Sequence, residues 1–118
     1  MKLNLKDRVL ILKSVLPPYD NRRGIELKNS IESKIKLSLE ESEVIVMTNM
    51  GYDQYELSFK PNEHIDYKEE KEFSITDEEL KYLKEKVDFL DRDGRFSDFT
   101  LQTYSKIADE PLSEVVEE

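Results

Sequence analysis

FSITDEELKYLKEKVDFLDRDGRFSDFTLQTYSKIA, Phe73–Ala108, is the stretch whose reading decides the fold. Thr76–Glu79, T-D-E-E, is a capping box: the Thr76 hydroxyl accepts from the amide three residues on, and the Glu79 carboxylate reaches back to the Thr76 amide. A long helix opens there. Leu80, Leu83, Val87 and Leu90 recur at helical spacing, with Lys81, Lys84, Glu85 and Asp88 on the other side. Asp91–Gly94 stops this helix, and Gly94 suits the left-handed C-terminal cap. Ser97 caps a final helix whose apolar side is read as Phe99 or Leu101 with Tyr104, Ile107 and Ala108. Just ahead of Thr76, Phe73 and Ile75 alternate with Glu72 and Ser74, so Lys71–Ile75 reads as a strand.

Working backwards, Tyr55, Leu57 and Phe59 alternate with Glu56 and Ser58 and predict a strand over 54–60 that Pro61 and Asn62 end. The two strands are read as a β-hairpin, 54–60 with 71–75, closed by an acidic loop over 62–70. A lone hairpin is marginal in water, so one face must rest on helices. Ser38–Glu41, S-L-E-E, is another capping box and starts a short third helix. Val44–Val46 are β-branched and open either more helix or a strand. Asn49 and Gly51 favour a loop over 48–51.

Asn4, with Asp7 three residues on, caps a first helix over Leu5–Leu16. Its face is Leu5, Val9, Leu12 and Leu16, widened by Leu10, Ile11 and Val15, and Pro17–Pro18 end it. Residues 17–24 form a loop carrying Arg22 and Arg23. A second helix then runs over 24–37, with Leu27, Ile31 and Ile35 inward and Lys28, Lys34 and Lys36 on its flanks.

The whole is an α+β single domain over 1–108, mostly helical: two or three N-terminal helices, one β-hairpin and two C-terminal helices. Residues 109–118 form an acidic tail read as disordered. A chain of 118 residues is long enough for one real core, although 37% is apolar and 38% charged. The chain contains no cysteine, which removes thiolate chemistry, disulfides and Cys-based zinc sites. The apolar run VLIL is too short for a membrane span, no signal-peptide cleavage pattern follows it, and a cytoplasmic protein without membrane contact is expected.

Charge is unevenly laid out. The total is −9, with +5 over residues 1–36, −4 over 37–62, −6 over 63–79, +1 over 80–108 and −5 over 109–118. Arg22, Arg23, Lys28, Lys34 and Lys36 are the candidate contacts to phosphate or to a partner. The net charge opposes nucleic-acid binding, as do Glu40, Glu41 and Glu43 on the third helix.

Chemistry-bearing motifs are absent. Asp91–Gly94, D-R-D-G, fails as a calcium loop, because aligning Gly94 to its sixth position puts Phe89 first and Thr100 twelfth. His64 is the single histidine, without a partner motif, and the three glycines stand apart, so no phosphate-cradling loop exists. No catalytic, metal or cofactor residue is expected, and the chain is read as no enzyme.

LNLKDRVLILKSVLP at the start, S-x-E-E after the second helix, and EFSITDEELKYLKEKVDFLDRDGRFSDFTLQTYSKI together resemble a group of small, uncharacterised phage- and prophage-encoded bacterial proteins. The likeness is one of layout over about residues 3–108 and implies a mobile-element origin without site residues. Helices followed by a hairpin is also the element order of a winged-helix domain. The leading expectation is a small non-enzymatic, regulatory protein that binds another protein. The alternatives are winged-helix-like nucleic-acid binding and an acidic decoy of a nucleic-acid-binding protein.

Overall fold

The computed structural model describes residues 1–51 and 54–112, with 49–51 and 54–56 described through their backbone. The fold is α+β and mainly helical. Its elements in order are β1 (Lys2–Leu3), α1 (Leu5–Leu10), a π-helical turn (Ile11–Val15), α2 (Arg22–Ile35), α3 (Leu39–Glu43), β2 (Ile45–Gly51), β3 (Gln54–Phe59), β4 (Lys71–Glu72), α4 (Asp77–Arg92) and α5 (Asp98–Asp109). Of the acidic tail, 113–118 lies outside the described residues.

The capping motifs hold as read. Asn4, Ser38 and Thr76 cap α1, α3 and α4, each with its reciprocal carboxylate, and Ser97 caps α5. Gly94 ends α4 at φ 68°, the Arg95 amide donating to the Leu90 carbonyl (2.8 Å) and the Gly94 amide to that of Asp91 (3.1 Å). That is the paired bonding of a Schellman stop. The first helix runs on through a π turn, in which the Leu16 amide reaches the Ile11 carbonyl at 3.0 Å. The widened turn places Ile11, Val15 and Leu16 together in the core, whereas Leu12 is only half-buried.

Four boundaries or faces differ from the reading of the sequence. The α2 helix starts at Arg22, because the Asn21 side chain accepts the Gly24 amide and serves as its cap, so Arg22 and Arg23 stand in a helical first turn. Residues 48–51 are strand. Of the expected strand 71–75 only Lys71–Glu72 is strand, since the Ile75 amide folds back onto the Phe73 carbonyl (3.0 Å), and it does not pair with the strand read over 54–60: β3 pairs antiparallel with β2 (Ile45 opposite Phe59, Met47 opposite Leu57), and β4 pairs with β1 (Lys2 opposite Glu72). Alternation marks an extended, one-sided segment but not its partner. The β2–β3 link is two residues against ten for the expected hairpin, and short links favour direct pairing. Finally, Phe99, Leu101 and Ala108 are exposed, and the inward face of α5 is Thr103, Tyr104 and Ile107.

The larger core joins Leu3, Ile11, Ile31, Ile35, Leu83, Val87, Tyr104 and Ile107, with Phe73 and Ile75 packed against it. A smaller cluster of Leu5, Val9 and Val44 receives Ile45, Leu57 and Phe59 and seats the base of the β2–β3 hairpin. Thus α1 faces the smaller cluster through Leu5 and Val9, and the π turn that continues it faces the larger one.

Gly24 is dictated by a contact. The Asp20 carboxylate occupies the space where a Cβ would stand, and is held there by the Tyr82 hydroxyl (2.7 Å), the Asn21 amide (2.7 Å) and the Lys86 ammonium (3.1 Å). Helix propensity alone would credit Gly24→Ala with about 1 kcal/mol. The variant is expected instead to melt at a lower temperature than the parent, and to recover that gain in an Asp20→Ala background, as a thermal double-mutant cycle will read.

Candidate functional site

Three of the capping carboxylates have a second task. Besides closing its own helix, each receives a cation from an element far along the chain: Glu41 from Arg8, Glu79 from Lys34 and Asp7 from Lys106, at separations of 33, 45 and 99 residues. Arg8 is 6% exposed, and four of the five N–H groups of its guanidinium are bonded. It meets both Glu41 oxygens (2.6 and 3.1 Å) and the carbonyls of Ile35 (3.1 Å) and Lys36 (2.7 Å), which end α2. Burial pushes the Glu41 carboxyl up, but the Arg8 and Ser38 bonds outweigh it and bring its pKa down to about 2. Glu79 takes the Ser30 hydroxyl and the Lys34 ammonium, both at 2.5 Å; these bonds overcome burial and lower its pKa. Asp20 is likewise brought down to about 2, chiefly by the Tyr82 hydroxyl.

These pairs are structural ties, and they account for two of the five candidate cations. Lys34 is held by Glu79, and Arg23 by Glu78 and Glu26. Arg22, Lys28 and Lys36 have no ionic partner among the described residues. Arg22 falls on the outer face of α2 by helical spacing, with Glu26 beside it, Lys28 stands on a flank, and Lys36 is exposed just past the helix end. The structure does not bring the five together as one cationic face.

A cleft of about 260 Å³ lies over Arg8 and is lined by Leu3, Arg8, Ser38, Glu41, His64 and Asp66. Its buried charges already satisfy one another, and His64 is exposed on its rim. Among the described residues no three His, Asp or Glu side chains gather as a metal site, and no helix is long and apolar enough to cross a membrane.

A different surface has unsatisfied chemistry. A groove of about 450 Å³ runs between the start of α1, the base of β3, the 60–70 connection and α5, lined by Asn4, Lys6, Phe59, Tyr67, Lys68 and Gln102. Phe59 and Tyr67 stack with centroids 4.7 Å apart and 9° between planes. Lys6 sits 4.2 Å over the Phe99 ring, and Lys68 sits 5.8 Å from that of Tyr67. No carboxylate pairs with Lys6 or Lys68 among the described residues; Glu70, at the groove's edge, is taken by Lys106. Phe99, under Lys6, extends this apolar surface at 38% exposure.

The sequence reading passed over this surface because its members come from four segments and none forms a motif. The signal within reach was Phe99 and Leu101, which cannot both share the inward face of a helix carrying Tyr104 and Ile107. Comparison with protein-family models, with curated proteins and with solved structures found no match.

Proposed function

We propose that this is a small non-enzymatic protein that acts by binding another protein, through the aromatic groove between α1, β3 and α5. One observation carries the reading: stacked and exposed aromatic rings sit beside two lysines that pair with no carboxylate among the described residues, on a chain whose net charge is −9. Aromatic anchors supply contact area at low entropic cost, and adjacent ammonium groups select for carboxylates. The partner is therefore a protein presenting an acidic segment with an apolar side chain. Against nucleic acid stand the internal pairing of Arg23 and Lys34 and the acidic five-residue α3. The phage-like layout adds a proposed mobile-element origin, which directs the search for the partner to neighbouring genes.

Acidic peptides of about ten residues with one central Phe, titrated in low salt, are expected to bind the wild type and to weaken about tenfold against Tyr67→Ser/Phe99→Ser, whose fold circular dichroism checks. Equal binding by both chains would sink the reading. So would tighter, steeply salt-dependent binding of a DNA duplex.

A further inference from the structure

Ile45–Gly51, IVMTNMG, is the one strand among the described residues without a charged side chain, and it contains no proline. It lies within Val44–Tyr52, nine residues that form the longest run free of Asp, Glu, Lys and Arg in a chain that is 38% charged. β2 belongs to a two-stranded sheet, so β3 covers one of its edges and no strand among the described residues covers the other. Natural open edges are usually blunted by charge, proline or a covering element, because their unpaired amides and carbonyls invite another strand. This edge has neither charge nor proline.

Which backbone groups face outward follows from the register. The Lys60 amide donates to the Val44 carbonyl at 2.7 Å, and Ile45 stands opposite Phe59. That bond flanks a non-hydrogen-bonded pair, so alternation makes 46 with 58 and 48 with 56 the hydrogen-bonded pairs. Ile45, Met47 and Asn49 therefore turn both N–H and C=O away from β3. Beyond Asn49 the register shifts before Gly51, and such an irregularity bends a strand out of line, which limits the usable edge to these three residues.

We propose that this edge pairs with the same edge of a second copy of the chain, antiparallel about a twofold axis at Met47. With Met47 opposite its counterpart, Ile45 meets Asn49 of the second copy and Asn49 meets its Ile45. Three self-complementary pairs each exchange two hydrogen bonds, about six in all. Charge selects the occupant. A strand with no charge sets no like charges against itself, whereas a segment with this chain's general composition would set carboxylates against an uncharged edge and strip them of water without a counter-ion. Met47 is 43% exposed and faces the same side as Leu57, so two copies place their Met47 side chains together and extend an apolar strip across the joined sheet. Pairing also turns two marginal two-stranded ribbons into one four-stranded sheet. This inference uses a different surface from the aromatic groove and stands or falls separately.

Sedimentation of the full chain from about 1 µM to about 1 mM is expected to show a concentration-dependent rise from the 14.0 kDa monomer towards twice that mass. Met47→Lys sets two ammonium groups side by side and should raise the midpoint concentration about fivefold or more. Met47→Pro deletes an outward amide while sparing the ladder to β3, and should stay monomeric throughout. In the wild type, exchange of the Met47 amide should slow as concentration rises, while the Val46 amide, already bonded to β3, should change little. A monomer at about 1 mM, or a midpoint unmoved by Met47→Lys in a chain of unchanged circular dichroism, would overturn the proposal. Protection of the Met47 amide only when a different protein is added would also overturn it.

Discussion

Arg8→Met is expected to cost about 3–5 kcal/mol in urea unfolding, the largest loss from any single change to this chain. Methionine replaces the aliphatic stem of Arg8 well, so lost packing is a minor part. The loss comes from what Arg8 leaves behind: a Glu41 carboxylate that is 13% exposed, and the Ile35 and Lys36 carbonyls at the end of α2. Removing one member of a buried pair strands the other, whereas removing both is cheaper, so Arg8→Met/Glu41→Leu should recover most of the loss. The pH dependence gives an independent readout. The Glu41 pKa is depressed from 4.5 to about 2 in the folded chain, so its contribution is fully present above pH about 4.5 and is lost as pH falls towards 2. The wild type should therefore weaken across that window. In Arg8→Met, burial without the guanidinium raises the Glu41 pKa instead, so the decline should flatten or reverse.

Asp7→Asn is expected to cost about 2–4 kcal/mol, although it preserves shape and can still accept the Asn4 amide. Asp7 is 1% exposed and accepts from the Asn4 amide (3.0 Å), the Thr103 hydroxyl (2.5 Å) and the Lys106 ammonium. The amide oxygen can keep the Asn4 and Lys106 bonds while the NH2 turns to the Thr103 hydroxyl, which must then accept, so the loss comes from removing the buried charge that pairs with Lys106. Burial pulls the Lys106 pKa down, but the bonds to Asp7 and Glu70 outweigh it and raise it. In Asp7→Asn that pKa should fall, which NMR titration of the Lys106 side chain will follow. Asp7→Ala should be worse still, because it also removes the reciprocal bond to the Asn4 amide.

How far the sequence could be read is shown by these same carboxylates. Asp7, Glu41 and Glu79 were legible as capping residues because a cap is complete within four residues and follows from local stereochemistry. Their second partners were not, since nothing local links Asp7 to a lysine 99 residues away. The strands show the same division. Period-two alternation marked 54–59 but overran β4, which is strand only at Lys71–Glu72, and the choice of β2 and β1 as partners depended on the length of the links and on a two-residue strand too short to have a period. Arg22 and Arg23 were placed in the loop, two residues outside a helix that in fact begins with them, because Gly24 looked like punctuation, when it is where a helix makes room for Asp20. The aromatic groove draws on residues 4 to 102, and only the folded chain assembles it.

The long-range ties of the first helix set a schedule for the chain's manufacture. Leu3 reaches its ladder partner only with Lys71, Asp7 reaches Lys106, and Ile11 shares a core with Ile107. On a ribosome, residues 2–11 would emerge early and wait, with their apolar side uncovered, until a hundred further residues had been added. Folding is thus completed after synthesis of that span and not progressively during it.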